Sequence, residues 1–343
     1  MQNLRGVPAL TLSTVLALSA PFAAAQTPAA YAVTDHIKIP DGGFDYASFD
    51  PALRRVYLSR TGGVTALEVD SGTVIGHLAD VQHAHEVLPL NDGAQLLVTD
   101  SGSNSVRLIE ARSGKLITDI PAGQKPDGAV LDPGSGLAVV MDGHGGDVTV
   151  IDPVAKAAVG RIAVGGTPEF AAADGAGRVY DNVEDQNRIA VIDVKARALV
   201  GAYPLKGCEG PTGLAYAGDA GVLIAACANG VAKVIRASDG ADLATLAIGL
   251  GPDAVIYDPV RHLAFIPCGR DGVLEVIAVR SASDIAIVQR LKTLVGARTG
   301  AVDPQTDKVY LPTAHFVAPA PGVKPVATPG TYELLVVSPT GAS

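Results

Sequence analysis

The chain contains no tryptophan, and aromatic residues make up only 4% of it, while 39 glycines punctuate its length. That composition suits many short strands and tight turns and argues against a helical bundle. Basic runs are missing too: 26 Lys and Arg are dispersed among 35 Asp and Glu, for a net charge of −9. Phosphate neutralisation supplies most nucleic-acid affinity, so a nucleic-acid partner is not expected. After residue 25 no stretch approaches eighteen uninterrupted apolar residues, so no membrane span is expected either. CxxCH, GxSxG and GxxxxGK[ST] do not occur. This removes covalent c-type haem, a nucleophile elbow and a phosphate-cradling loop. The three cysteines, Cys208, Cys227 and Cys268, lack the paired spacing of a zinc motif.

What is present begins with a leader. Arg5 precedes an apolar stretch over 7–22, followed by Ala23-Ala24-Ala25, with Gln26 as the expected mature terminus. Charge, apolar core and small-residue cleavage site are the three parts of a secretory signal. Residues 1–25 are therefore read as a signal peptide and 26–343 as one domain, periplasmic or secreted.

The domain is repetitive. One unit recurs, with an apolar run, a turn, a second apolar run, a glycine-rich turn and a β-branched run. Its first turn falls at Asp50, Asn91, Asp132, Ala173, Ala217, Asp258 and Asp303, and all four Asp are followed by Pro. Asp-Pro makes a turn because the carboxylate bonds nearby backbone while Pro presets φ. The third run starts at Val64, Val106, Val148, Ile189, Val231 and Val273, successive steps of 41 or 42 residues. A seventh copy, ELLVV at 333–337, is delayed by a Pro-rich insertion at 317–330. Four short strands in each unit of this length are the signature of a β-propeller blade. Seven units predict an all-β, seven-bladed β-propeller. The last blade lacks a fourth strand, so VTDHIKI at 33–39 is expected to supply it and close the ring.

These repeats resemble the YVTN family of exported seven-bladed propellers, often described as YncE-like. The resemblance is carried by third strands such as VTVID at 148–152 and IAVID at 189–193. It also rests on loops such as Gly123-Gln124-Lys125-Pro126-Asp127-Gly128 and on GARTGAVDP at 296–304. It implies the fold and export. The nucleic-acid role suggested for YncE-like proteins is not matched by this acidic chain. Tryptophan-docking motifs of quinone-dependent propeller dehydrogenases cannot exist without tryptophan.

In such a ring the first residues of each innermost strand line one mouth of the axial channel. Counting back five residues from each turn gives Asp45, Glu86, Asp127, Pro168 (or Glu169, with one fewer turn residue), Thr212, Asp253 and Arg298. The loops between second and third strands add His144 and His315, and His83-Ala84-His85-Glu86 leads into the second blade. Two readings follow. Converging carboxylates with imidazoles bind a divalent cation or cationic ligand, oxygen ligands suiting Ca²⁺ or Mg²⁺ and added His suiting Mn²⁺ or Zn²⁺. Alternatively, the acids repeat because they cap the turn into each innermost strand. The candidate ligand-binding residues are Asp45, His85, Glu86, Asp127, Glu169, Asp253, Arg298 and His315, and the candidate metal ligands are His83, His85 and Glu86. Arg298 is available for a carboxylate or phosphate, or neutralises its acidic neighbours.

Export exposes the cysteines to an oxidising compartment. Cys208 and Cys227 fall on one face of blade five, which makes Cys208–Cys227 the leading disulfide and Cys227–Cys268 the alternative. The functional expectation is a monomeric, non-catalytic propeller that binds a small ligand, cation or protein partner at the channel mouth. The alternatives are a metal-assisted hydrolase or lyase at the same mouth, with His85, Glu86 and His315 as ligands or bases, and a structural envelope protein.

Overall fold

The computed structural model describes residue 2, residues 30–317 and residues 325–341. The segment read as a leader lies outside the described residues apart from Gln2, as does the middle of the Pro-rich insertion. Seven four-stranded antiparallel sheets form the blades of a β-propeller. Blades one to six each use four consecutive strands, as in Phe44–Asp50, Arg55–Arg60, Gly63–Glu68 and Thr73–Asp80 of blade one. Blade seven is composite. Ala301–Asp303, Lys308–Thr313 and Glu333–Pro339 are completed on the outside by Tyr31–Lys38. That strand starts two residues earlier than expected and runs antiparallel from Tyr31 opposite Pro339 to Lys38 opposite Glu333. No helix among the described residues is long and apolar enough to cross a membrane.

The core lies between blades, because a blade buries both faces against its neighbours. Between blades six and seven, Phe265, Val276, Leu311, Leu335 and Tyr31 are buried together, with Tyr31 set edge-on to Phe265. Each Asp-Pro turn works as its chemistry predicts. Asp50 Oδ1 accepts from the backbone N–H groups of Ala52 and Leu53, and Asp258 Oδ1 from those of Val260 and Arg261. Asp303 does more: fully buried, it also receives Arg54 of blade one, with Nη2 to Oδ2 at 2.6 Å. This charge-assisted pair joins the first and last blades at the inner edge of blade seven, opposite the closing strand.

Two turns depart from the sequence count. In blade two, Leu90 pairs with Gln95 as Asp50 pairs with Arg55, while Asn91 lies in the turn at φ 52°. Leu90, not Asn91, is therefore the blade-two equivalent of Asp50. In blade four the hairpin extends to Asp174, whose N–H donates to the carbonyl of Arg178. Both shifts move the residue that faces the channel.

The insertion contributes a short ribbon, Phe316–Val317 against Val326–Ala327. Phe316 covers the backbone at Gly296, where an added Cβ would lie 2.1 Å from the ring. Gly296 is held at φ +97°, so the chain just before Arg298 depends on having glycine there.

Candidate functional site: an acidic channel mouth

The mouth residues sit on bulges. Register shifts occur between Phe44 and Ala47, Ala84 and Val87, Pro126 and Ala129, Pro168 and Ala171, and Pro211 and Gly213. Each shift places an extra residue on the innermost strand, and a bulge of this kind re-aims side chains. The bulges set Asp45, His85, Asp127, Glu169 and Thr212 at equivalent positions. Asp253, next to the Pro252–Cys268 bridge, and Arg298 complete the seven. Blade two thus contributes His85 at this level, and Glu86 takes the next position, where blade one has Tyr46 and blade four Phe170.

Around the mouth the side chains form a chain of contacts. His85 Nδ1 lies 2.7 Å from Asp45 Oδ2 and 3.3 Å from Asp127 Oδ1, while its Nε2 is 2.9 Å from Ser101 Oγ. Arg298 Nη2 donates to Asp45 Oδ1 at 3.2 Å, and its Nε lies 2.7 Å from Asp253 Oδ2. Tyr46 reaches from blade one to blade four, its hydroxyl donating to Glu169 Oε1 at 3.4 Å and its ring tilted against Phe170 with centroids 4.8 Å apart. Tyr46 and Phe170 therefore floor the acidic mouth. Beyond them a cavity of about 350 Å³, lined by Ser48, Phe49, Val255, Ile256, Ala301 and Val302 among others, occupies the channel.

Negative charge at the mouth is crowded and poorly solvated. Burial, reinforced by the charges of Asp127, Asp253, Glu184 and Asp45, pushes the Glu169 carboxyl up to about 9. Burial pushes Glu86 up to about 8, although Oε1 accepts the N–H of Val87 at 2.9 Å. Asp253 is driven up to about 7 by burial despite Arg298 beside it. Asp127 is raised for the same reason, with His85 opposing the shift. For His85 burial acts to lower the pKa, but the hydrogen bond to Asp45 and the charges of Asp127 and Asp45 outweigh it and leave it raised. These are the responses expected of acids that lack countercharge.

Of the residues named from sequence, Asp45, His85, Asp127, Glu169, Asp253 and Arg298 come together here. The metal set of His83, His85 and Glu86 does not. His83 is exposed and stacks on the His85 ring with centroids 4.9 Å apart, and Glu86 bonds its own strand. Among the described residues, the three donor groups that come within 4.8 Å of one another are Asp45, His85 and Asp127. The side chain of His315 is exposed and makes no hydrogen bond or ion pair to the mouth among the described residues, and its backbone N–H donates to Thr331 Oγ1. Thr212 supports the wall, donating to the carbonyl of Pro252. Sequence reasoning missed Tyr46 and Phe170, which directly follow mouth residues and were legible from the bulge spacing. It also missed Ser101 and Glu184, for which no sequence signal exists.

In blade five Cys208 and Cys227 are disulfide-bonded, with Cα atoms 5.5 Å apart, and Cys268 is a buried free thiol. The bond ties the loop leading into the blade to the end of its second strand.

No protein-family model matches this chain, and no curated protein matches it. Solved structures do. The chain is similar to Kuenenia stuttgartiensis hydrazine synthase at 17% identity and a TM-score of 0.70, over 80% of this chain and 94% of that one. It is similar to a chain of the mitotic checkpoint complex at 14% identity and 0.71, over 96% and 98%. U3-55K aligns at 11% identity and 0.74, over 89% and 98%. At such identities the likeness is one of fold: the chain is a seven-bladed β-propeller.

Proposed function

We propose that this protein is an exported propeller of the YVTN, YncE-like kind that binds a small, positively charged ligand at the acidic channel mouth without catalysing its conversion. One observation carries the reading. The carboxylates of Asp45, Asp127, Glu169 and Asp253 converge above an aromatic floor, and among the described residues Arg298 is the one guanidinium group that pairs with them, its own side chain 44% exposed. A cationic ligand relieves that repulsion, and an aromatic base beneath carboxylate walls suits an ammonium or a metal ion alike. Capping of turn amides does not account for the arrangement, because Asp127 accepts no hydrogen bond among the described residues. The leader pattern and the Cys208–Cys227 disulfide support an oxidising, extracytoplasmic location.

The test is a thermal-unfolding screen of the purified protein with spermidine, choline, Ca²⁺, Mn²⁺ and Zn²⁺, repeated on Asp127→Asn. A binder at about 100 times its Kd adds about 2.7 kcal/mol of stability. The expected result is a raised Tm with at least one of these cations in the wild type and none in the variant. A wild type indifferent to every cation would refute the reading.

A further inference from the structure

Resting on that reading, we propose that the mouth holds a divalent first-row transition-metal ion, bound by one oxygen each of Asp45 and Asp127 and by Nδ1 of His85. The orientation of the imidazole is the first ground. Ser101 Oγ, which donates to the carbonyl of His83 at 3.4 Å, is placed to accept from His85 Nε2 at 2.9 Å, the tautomer that leaves the Nδ1 lone pair free. Nδ1 is then the atom that faces two carboxylate oxygens, at 2.7 and 3.3 Å. A nitrogen lone pair and two carboxylates repel one another unless positive charge lies among them.

A proton on Nδ1 fills that place incompletely. It is directed at Asp45, the nearer oxygen, and leaves Asp127 without a donor. The Asp127 side chain is only 9% exposed and accepts no hydrogen bond among the described residues, and Lys125 Nζ stays 3.8 Å away. A buried carboxylate without a donor is costly, and a metal ion serves all three groups at once.

Spacing agrees. Donors adjacent on an octahedral ion with bonds near 2.1 Å lie about 3 Å apart; the 2.7 and 3.3 Å separations from Nδ1 bracket that value, and all three donor atoms lie within 4.8 Å of one another. Ser101 and the stacked ring of His83 hold the imidazole in plane, the outer-partner arrangement that orients ligating histidines. One imidazole with two carboxylates suits Mn²⁺, Fe²⁺, Co²⁺ or Zn²⁺ better than a thiolate-seeking ion.

The experiment uses the full protein, freed of metal by chelation and titrated with Co²⁺ by calorimetry and visible absorption. We expect one equivalent bound and displaced by Zn²⁺. His85→Gln and Asp127→Asn should lose the stoichiometric isotherm while keeping the wild-type far-UV spectrum. Ser101→Ala, which frees the imidazole without touching the ion, should weaken binding about 10- to 100-fold. Asp219→Asn, on an exposed turn, should bind as the wild type does. Absence of stoichiometric Co²⁺ in the wild type, or unchanged binding in His85→Gln, overturns the assignment. If spermidine or choline raises the Tm and no metal does, the metal assignment fails and the cationic mouth stands. If no cation acts, both fall.

Discussion

Replacing Glu169 with glutamine should make the protein more stable at neutral pH, and the gain should disappear in acid. The folded carboxyl keeps its proton up to about 9, against an ordinary value of 4.5 for the unfolded chain. Between those values the folded state binds more protons than the unfolded one, so stability falls as pH rises through the window. Each pH unit costs about 1.36 kcal/mol, which gives about 3 kcal/mol between pH 4.5 and pH 7. Glutamine removes this cost, and its carbonyl oxygen still accepts the Tyr46 hydroxyl. At an unfolding entropy of about 2 cal/mol/K per residue, the gain corresponds to a Tm rise of about 5 °C at pH 7. Calorimetric unfolding of both proteins at pH 4, 5.5, 7 and 8.5 checks it, with coincident curves at pH 4 and separation growing toward pH 8.5. A lower Tm for Glu169→Gln at pH 7, or a difference independent of pH, would show that Glu169 is ionised and compensated, and the account of a crowded mouth would be wrong.

Two further outcomes bear on the architecture. Cys208→Ser opens a cross-link between residues 19 apart and should cost about 3 kcal/mol in urea unfolding, with reduction of the wild type producing a similar loss. Arg54→Ala strands the buried Asp303 and should cost about 3 kcal/mol; a change below about 0.5 kcal/mol would mean that strand pairing alone holds blades one and seven together.

The fold was legible because its determinants are local. Asp-Pro turns, glycine-bounded apolar runs and a third strand every 41 or 42 residues are written within each blade, and the leftover strand near residue 33 had one vacant edge to fill. The mouth was legible as a level, since the same position recurs in each blade and is bulged in five of the seven, but not as a set of contacts. The turn count placed Glu86 in the ring because Asn91 looks like the turn anchor of blade two. Strand pairing makes Leu90 that anchor and turns His85 inward. A one-residue shift exchanges which neighbour faces the channel, and composition does not register it.

Sequence by itself determined the blade number, the strand order and the closure by the N-terminal strand, since repetition and the need to pair every edge admit few other solutions. Only the tertiary structure decided which acids meet. Asp45, His85 and Asp127 are each about forty residues from the next, and Tyr46 meets Glu169 and Phe170 across the whole channel. Such contacts depend on how far each bulge turns a side chain once the ring has closed, a property of the assembled ring that no single repeat encodes.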